Sequence, residues 1–157
     1  MSYKKWAVNR RPDVPEKPVS LSADILKQTE LRRILREPVR DAYAIRRLVM
    51  WRMFREEAGS AYAFFLNSRR RCVRTERLCQ NGIRMTDSYT DCVKQAALRD
   101  GAAYFIVAHN HVNEPLVPSP DDLRLTMLFD SLADGELKGQ CTFLGHYITS
   151  EFDVIKI

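Results

Sequence analysis

No stretch of this chain approaches the roughly 18 consecutive apolar residues of a membrane-spanning helix. The opening segment, MSYKKWAVNRRP, lacks the apolar centre of a secretory signal. Both absences argue against membrane-embedded and exported classes and lead us to expect a cytoplasmic protein. Cysteine is scarce and unpatterned: Cys72, Cys79, Cys92 and Cys141 form no C-x-x-C pair. A chain of 157 residues buries enough surface to fold without disulfide staples, so reduced, mostly buried thiols are expected. Internal repeats are absent. Histidine is scarce as well, with three in the chain, yet two stand one residue apart in AHNHVNEPLVPSPDD, residues 108–122.

Charge is present but unevenly placed. Residues 1–58 carry 14 Lys and Arg against 8 Asp and Glu, a balance of +6, whereas residues 59–157 carry 11 against 12. The expected organisation is a basic arm and helical extension over 1–58 followed by a domain over 59–157. The basic half suits a nucleic acid or an acidic partner. A solvated, Arg-rich helix surface accounts for the same composition.

Pro12, Pro15 and Pro18 oppose helix and predict an extended arm. Residues 22–36 read as a helix with Ser22 as N-cap and a stripe of Ile25, Leu26, Leu31, Ile34 and Leu35. After the break at Pro38, residues 39–57 read as a second helix. Its apolar face is Ala42, Ile45, Leu48, Val49 and Met53, with Arg46, Arg47 and Arg55 at polar positions, and Gly59 closes it. The period then shortens. AYAFFL (61–66) reads as a buried strand, NSRRR as a turn, and CVRTERL (72–78) as a strand with one wet face. A helix over 87–101 stops at Gly101, a central strand covers 102–108, and a helix runs from Ser119 to about Leu132. CTFLGHYITS and FDVIKI supply the last strands. Helices before and between strands predict an α/β domain, a mixed β-sheet flanked by helices.

In a strand, residues i and i+2 face the same side. His109 and His111 therefore aim two imidazoles at one point while Asn110 faces away. Asp122, eleven positions beyond His111, is the candidate third ligand. Two His and one carboxylate leave a fourth tetrahedral position for water, the pattern of a catalytic zinc site. The stretch Ser119-Pro120-Asp121-Asp122 is also a good helix start, with Ser119 as N-cap, Pro120 at the first position and Asp122 completing a capping box. Capping explains those residues without a metal, but it does not explain the paired histidines. The letters H-N-H are not the nuclease signature of that name, whose residues are dispersed over a ββα-metal fold.

The segment VKQAALRDGAAYFIVAHNHVNEPLVPSPDDLRLTMLF closely resembles the RadC family within the JAMM (MPN-type) metalloprotease superfamily. The shared pattern is helix, small-residue turn, apolar strand, H-N-H, Pro-Ser-x-x-Asp, and a Thr four residues after the Asp, here Thr126. FFLNSRRR resembles that family's first hairpin and FLGHYITS its late strand, so the resemblance covers residues 60–150. It implies JAMM/MPN-like, cytidine-deaminase-like layering and zinc held by His109, His111 and Asp122. It further implies that Ser119 stabilises an oxyanion and that a first-strand glutamate takes the proton of the zinc-bound water.

The chain departs from this pattern. The Pro-Ser-Gly that follows H-N-H is Val112-Asn113-Glu114, and the late Asp-His is Gly145-His146. His146 either stands behind the ligands or, more simply, is a lone exposed strand histidine. The glutamate's expected place is Gly59. Glu57, two residues earlier, shares that face at a displacement of about 6.6 Å and becomes the candidate base; Glu56 precedes it. Both also read as solvated residues at a helix end. RadC proteins commonly carry a helix-hairpin-helix module upstream; residues 1–58 are too short for a close match, lack its Gly-rich hairpins and read as a helical extension.

The resemblance implies a zinc-dependent hydrolase of a peptide or isopeptide bond in a DNA-repair-associated family. The alternative is a non-catalytic MPN-type binding scaffold. Nucleic-acid association through the basic half is a further expectation, with Arg69-Arg70-Arg71 nearby and Trp6, Trp51 and Tyr62 as stacking groups or, equally, core.

Overall fold

The computed structural model describes residues 20–85, 88–151 and 153–157. The proline-spaced arm and Trp6 lie outside them. In chain order the elements are α1 (Ser20–Ile34), α2 (Ala42–Met53), β1 (Ala61–Leu66), β2 (Cys72–Gln80), β3 (Ile83–Arg84), α3 (Tyr89–Asp100), β4 (Tyr104–Asn110), α4 (Pro120–Asp134), β5 (Thr142–Thr149) and β6 (Val154–Lys156). The strands form one six-stranded sheet in the order β3-β2-β1-β4-β5-β6. Only β4 and β5 run parallel; the other neighbours are antiparallel. This is the mixed α/β sheet flanked by helices that the residue pattern predicts. No helix among the described residues is long and apolar enough to cross a membrane.

Period-2 alternation along the central strands builds two cores. Phe64, Leu66, Ile106 and Ala108 face α1 and α2, while Ala63, Phe65, Phe105 and Val107 face α3 and α4. On the second side Phe105 stacks on Phe143 at 4.8 Å and meets the edge of Phe129 at 6.1 Å. Phe105 and Phe129, both fully buried, contribute about 1.5–3 kcal/mol of transfer free energy each. Because β4 carries apolar residues on both faces, its polar end, starting at His109, marks where the sheet meets solvent.

Several local expectations shift. Helix α1 starts at Ser20, so Ser22 lies inside it. Ile25 and Leu35 are exposed, and the inward stripe is Ala23, Lys27, Leu31 and Ile34. Arg46, expected on a polar face, is fully buried, because α2 buries residues around most of its circumference. Trp51 and Tyr62 are 0% and 1% exposed, so both serve the core and neither offers a face to a base. Strand β4 runs two residues later than expected and carries His109 and Asn110 inside it. Strand β3 is an addition. Asn81 (φ 52°) and Gly82 (φ 72°) form a tight hairpin between β2 and β3, and the Asn-Gly pair is the sequence signal for it. As expected, Cys72, Cys79 and Cys141 are buried and all four cysteines are free.

Candidate metal centre

The centre is assembled from the end of β4 and the start of α4. His109 is the penultimate residue of β4, and His111 prolongs the ladder, its N–H donating to Thr149 O of β5 at 2.7 Å. Ser119 caps α4: its Oγ accepts from Asp122 N at 3.1 Å, and its own N–H donates to Asp122 Oδ2 at 2.8 Å. This capping box, with Pro120 in the first turn, fixes the Asp122 carboxylate at the helix mouth. The sequence-level alternative is thus present together with the ligand geometry.

His109 Nε2 lies 3.0 Å from His111 Nε2 and 3.1 Å from Asp122 Oδ1, and His111 Nε2 lies 3.3 Å from Asp122 Oδ2. Ligand atoms about 2.0–2.1 Å from a tetrahedral zinc stand about 3.3 Å apart, so the spacing fits that ion. Two imidazole nitrogens so close also need a cation or a proton between their lone pairs. His109, His111 and Asp122 are the one His/Cys/Asp/Glu group of metal-holding geometry among the described residues. Burial pushes the Asp122 carboxyl up, but the adjoining His109 and the hydrogen bond from the Ser119 backbone outweigh it and hold the group well below the usual carboxylate range. It stays ionised, as a ligand must.

Both rings are held from behind. His111 Nδ1 donates to Pro115 O at 3.0 Å, which turns the His111 Nε2 lone pair toward the cluster. His109 Nδ1 lies 2.8 Å from His146 Nε2, and His146 Nδ1 lies 2.7 Å from Thr126 Oγ1. His146 is therefore no exposed strand residue; it is fully buried. Burial, then the neighbouring His109, lowers its pKa to about 3, so it is neutral near pH 7. A lone strand histidine gives no local sign of this. The information lies in the register, where His146 pairs with Val107 and so takes the face that His109 uses.

Gly59, the expected site of the glutamate, holds φ +72°, and its carbonyl accepts from Gly82 N at 3.0 Å. A Cβ there would come within 2.5 Å of Gly82 N. The β2–β3 hairpin turn therefore closes that position to any side chain. Glu57 is exposed, and its carbonyl accepts from Asn110 Nδ2 and Ser60 Oγ, both at 2.7 Å. Asn110 faces away from the histidines, as its place in the strand requires, and its Oδ1 accepts from Ser60 N at 2.9 Å. Glu56 is no solvated helix-end residue: its carboxylate meets Lys27 at 3.1 Å, Arg52 at 2.7 Å and Arg77 at 3.5 Å.

A cleft of about 900 Å³ opens over the centre. His109, His111, Asp122 and Ser119 line it, with Leu78, Tyr89, Leu125 and Leu128 as apolar wall. Of the five expected site residues the structure gathers these four; Glu57 is not in the wall. The other acids of the wall are Asp121, bonded to Arg124 at 3.0 Å, and Glu114. Glu114 stands where the family pattern has Gly, and residue identity alone did not single it out.

Comparison with known proteins gives a consistent grouping. A family model described as the RadC-like JAB domain matches residues 39–150. A UPF0758 protein of Finegoldia magna is 29% identical over 110 residues, 67% of this chain and 48% of its own length. A UPF0758 protein of Vibrio cholerae is 32% identical over 94 residues, 60% of this chain and 41% of its own. One from Cupriavidus pinatubonensis is 36% identical over 70 residues, 45% of this chain and 31% of its own. The chain thus spans less than half the length of these relatives.

Proposed function

The chain belongs to the RadC-like JAB domain family, and from that premise we propose that it is a zinc-dependent hydrolase of the JAMM type acting on a peptide or isopeptide bond. The observation that carries this reading is the convergence of two imidazole nitrogens 3.0 Å apart on one carboxylate, with Asp122 Oδ1 3.1 Å from His109 and Oδ2 3.3 Å from His111. These residues would hold Zn²⁺, which when bound supplies Lewis-acid polarisation and an acidified water. Ser119 Oγ accepts from Asp122 N–H, so its own proton is free to stabilise an oxyanion in the cleft. Leu78, Tyr89, Leu125 and Leu128 receive apolar parts of the substrate and exclude water. With Gly59 closed and Glu57 outside the wall, Glu114 is the carboxylate assigned to accept the proton and return it to the leaving amine.

The test is the metal content of protein purified without chelator, with Asp122→Ala alongside, followed by peptide-cleavage assays of Glu114→Gln and Glu57→Gln. About one zinc per chain in the wild type and none in Asp122→Ala is expected. Glu114→Gln should cost roughly 10²–10⁴ in rate and Glu57→Gln very little. Cleavage undiminished in Glu114→Gln would remove that assignment.

Zinc without cleavage in any form would favour a second reading, a non-catalytic scaffold, which the closed position at Gly59 supports. Its docking surface would be the Arg-rich end. Val39 N donates to Arg70 O at 2.7 Å and Arg70 Nε donates to Val39 O at 3.0 Å. These two bonds gather the exposed Arg40, Arg69 and Arg71 at the end of the sheet away from the cleft. A nucleic acid bound there should be released steeply by salt.

A further inference from the structure

The hydrogen bonds behind His109 can be assigned a direction. Thr126 Oγ1 lies 2.9 Å from the Asp122 carbonyl oxygen, which only accepts, so the single hydroxyl proton points there. Thr126 is then the acceptor toward His146, 2.7 Å away, and His146 carries its proton on Nδ1. The Nε2 lone pair of His146 faces His109 Nδ1 at 2.8 Å, so His109 is the donor in that pair. His109 Nε2 is left bare, 3.1 Å from Asp122 Oδ1. Two acceptors thus face each other there, the position a cation would fill, on the residue whose carbonyl began the chain.

We infer that Thr126 and His146 are positioning residues of the metal centre: with His109 and Asp122 they form a circuit, hydrogen-bonded from His109 Nδ1 through His146 and Thr126 to the Asp122 carbonyl and open only at the cation position between His109 Nε2 and Asp122 Oδ1, that presets the His109 tautomer and ties the ligand from β4 to the ligand from α4. Packing alone does not account for His146. The site is fully buried, and the ring lies edge-on to Phe129 at 6.4 Å, a place an apolar side chain would fill without the desolvation cost of two ring nitrogens. Both nitrogens are instead hydrogen-bonded within the circuit. The two histidine ligands are thus oriented by different means. His111 leans on a backbone carbonyl that no substitution removes, while His109 depends on side chains from α4 and β5. Thr126 reaches this position because it lies one turn beyond Asp122 on the same helix face.

This inference rests on the metal reading, and its test separates the two. The protein is stripped of metal, and the His109 ring nitrogens are read by long-range ¹H–¹⁵N NMR in wild type, Thr126→Val, Thr126→Ser and His146→Phe. Zn²⁺ affinity is then measured against a chromophoric chelator. The wild type should show one His109 tautomer, protonated at Nδ1, and Thr126→Val a mixture. Thr126→Val should bind Zn²⁺ about 10–100-fold more weakly, and Thr126→Ser, which restores the hydroxyl, should recover most of that loss. Thr126→Val nearly preserves shape, so it carries the test even if His146→Phe fails to fold. Equal affinity together with an unchanged His109 tautomer in Thr126→Val would overturn the circuit. A wild type that binds no Zn²⁺ yet shows the tautomer difference would remove the metal reading and leave the circuit standing.

Discussion

A side chain at position 59 has nowhere to go. Gly59 sits in the left-handed region at φ +72°, and the Gly82 nitrogen lies 2.5 Å from where a Cβ would be. Restoring the family's glutamate by Gly59→Glu should therefore unfold the hairpin contact before it supplies a base. Backbone strain of this kind costs about 1–3 kcal/mol, and the clash with the Gly82 backbone adds to it. The variant should melt several degrees below wild type and cleave no better. A Gly59→Glu protein with unchanged melting temperature and raised cleavage would mean the hairpin yields easily. The grouping of His109, His111 and Asp122 was legible because spacing along one strand and one helix start is local. His146 was not, because its role depends on which strand lies beside β4. Glu57 and Glu114 divide for the same reason: distance along the chain favoured the first, and only the folded loop after His111 puts the second in the cleft wall.

At the scale of the element, the first turn of α4 combines a helix cap and the carboxylate of the candidate metal group. The two uses separate by mutation, because Ser119 contributes its side chain to one bond of the box and its backbone N–H to the other. Ser119→Ala removes the cap acceptor but keeps the N–H that orients Asp122 Oδ2. It should cost about 1 kcal/mol in stability, read as a lower urea midpoint, with zinc stoichiometry unchanged. Asp122→Ala should lose both stability and zinc. Loss of zinc in Ser119→Ala would show that the hydroxyl, and not the backbone, holds the ligand. Ser119, Pro120 and Gly101 were legible because they act through local backbone chemistry, whereas Ser22 lies inside α1 and α2 ends at Met53, well before the stop expected at Gly59. The burial of Arg46 was not legible: periodicity assumes one solvated face, and α2 is buried around most of its circumference.

Across the whole molecule, Glu56 joins three elements, meeting Lys27 of α1, Arg52 of α2 and Arg77 of β2. Burial alone would raise its carboxyl, but Lys27 and then Arg52 outweigh it, so the folded pKa lies below the ordinary value. A depressed carboxylate contributes stability that is fully present above its unfolded pKa, about 4.3, and is lost as pH falls through the lower folded value. Wild type should therefore exceed Glu56→Gln in urea midpoint near neutral pH, and the gap should narrow below about pH 4. A gap that stays constant into acid would show that the charge is not what matters. By itself the sequence determined the element types, the helix cap and the His-His-Asp set, all consequences of rotation per residue and of side chains reaching their own backbone. Tertiary structure alone decided the rest. It set the closure of position 59 by a hairpin, the burial of His146 behind His109, and the acid that reaches the cleft. Each of these depends on strand register and helix packing between residues far apart in the chain, where local periodicity carries no information.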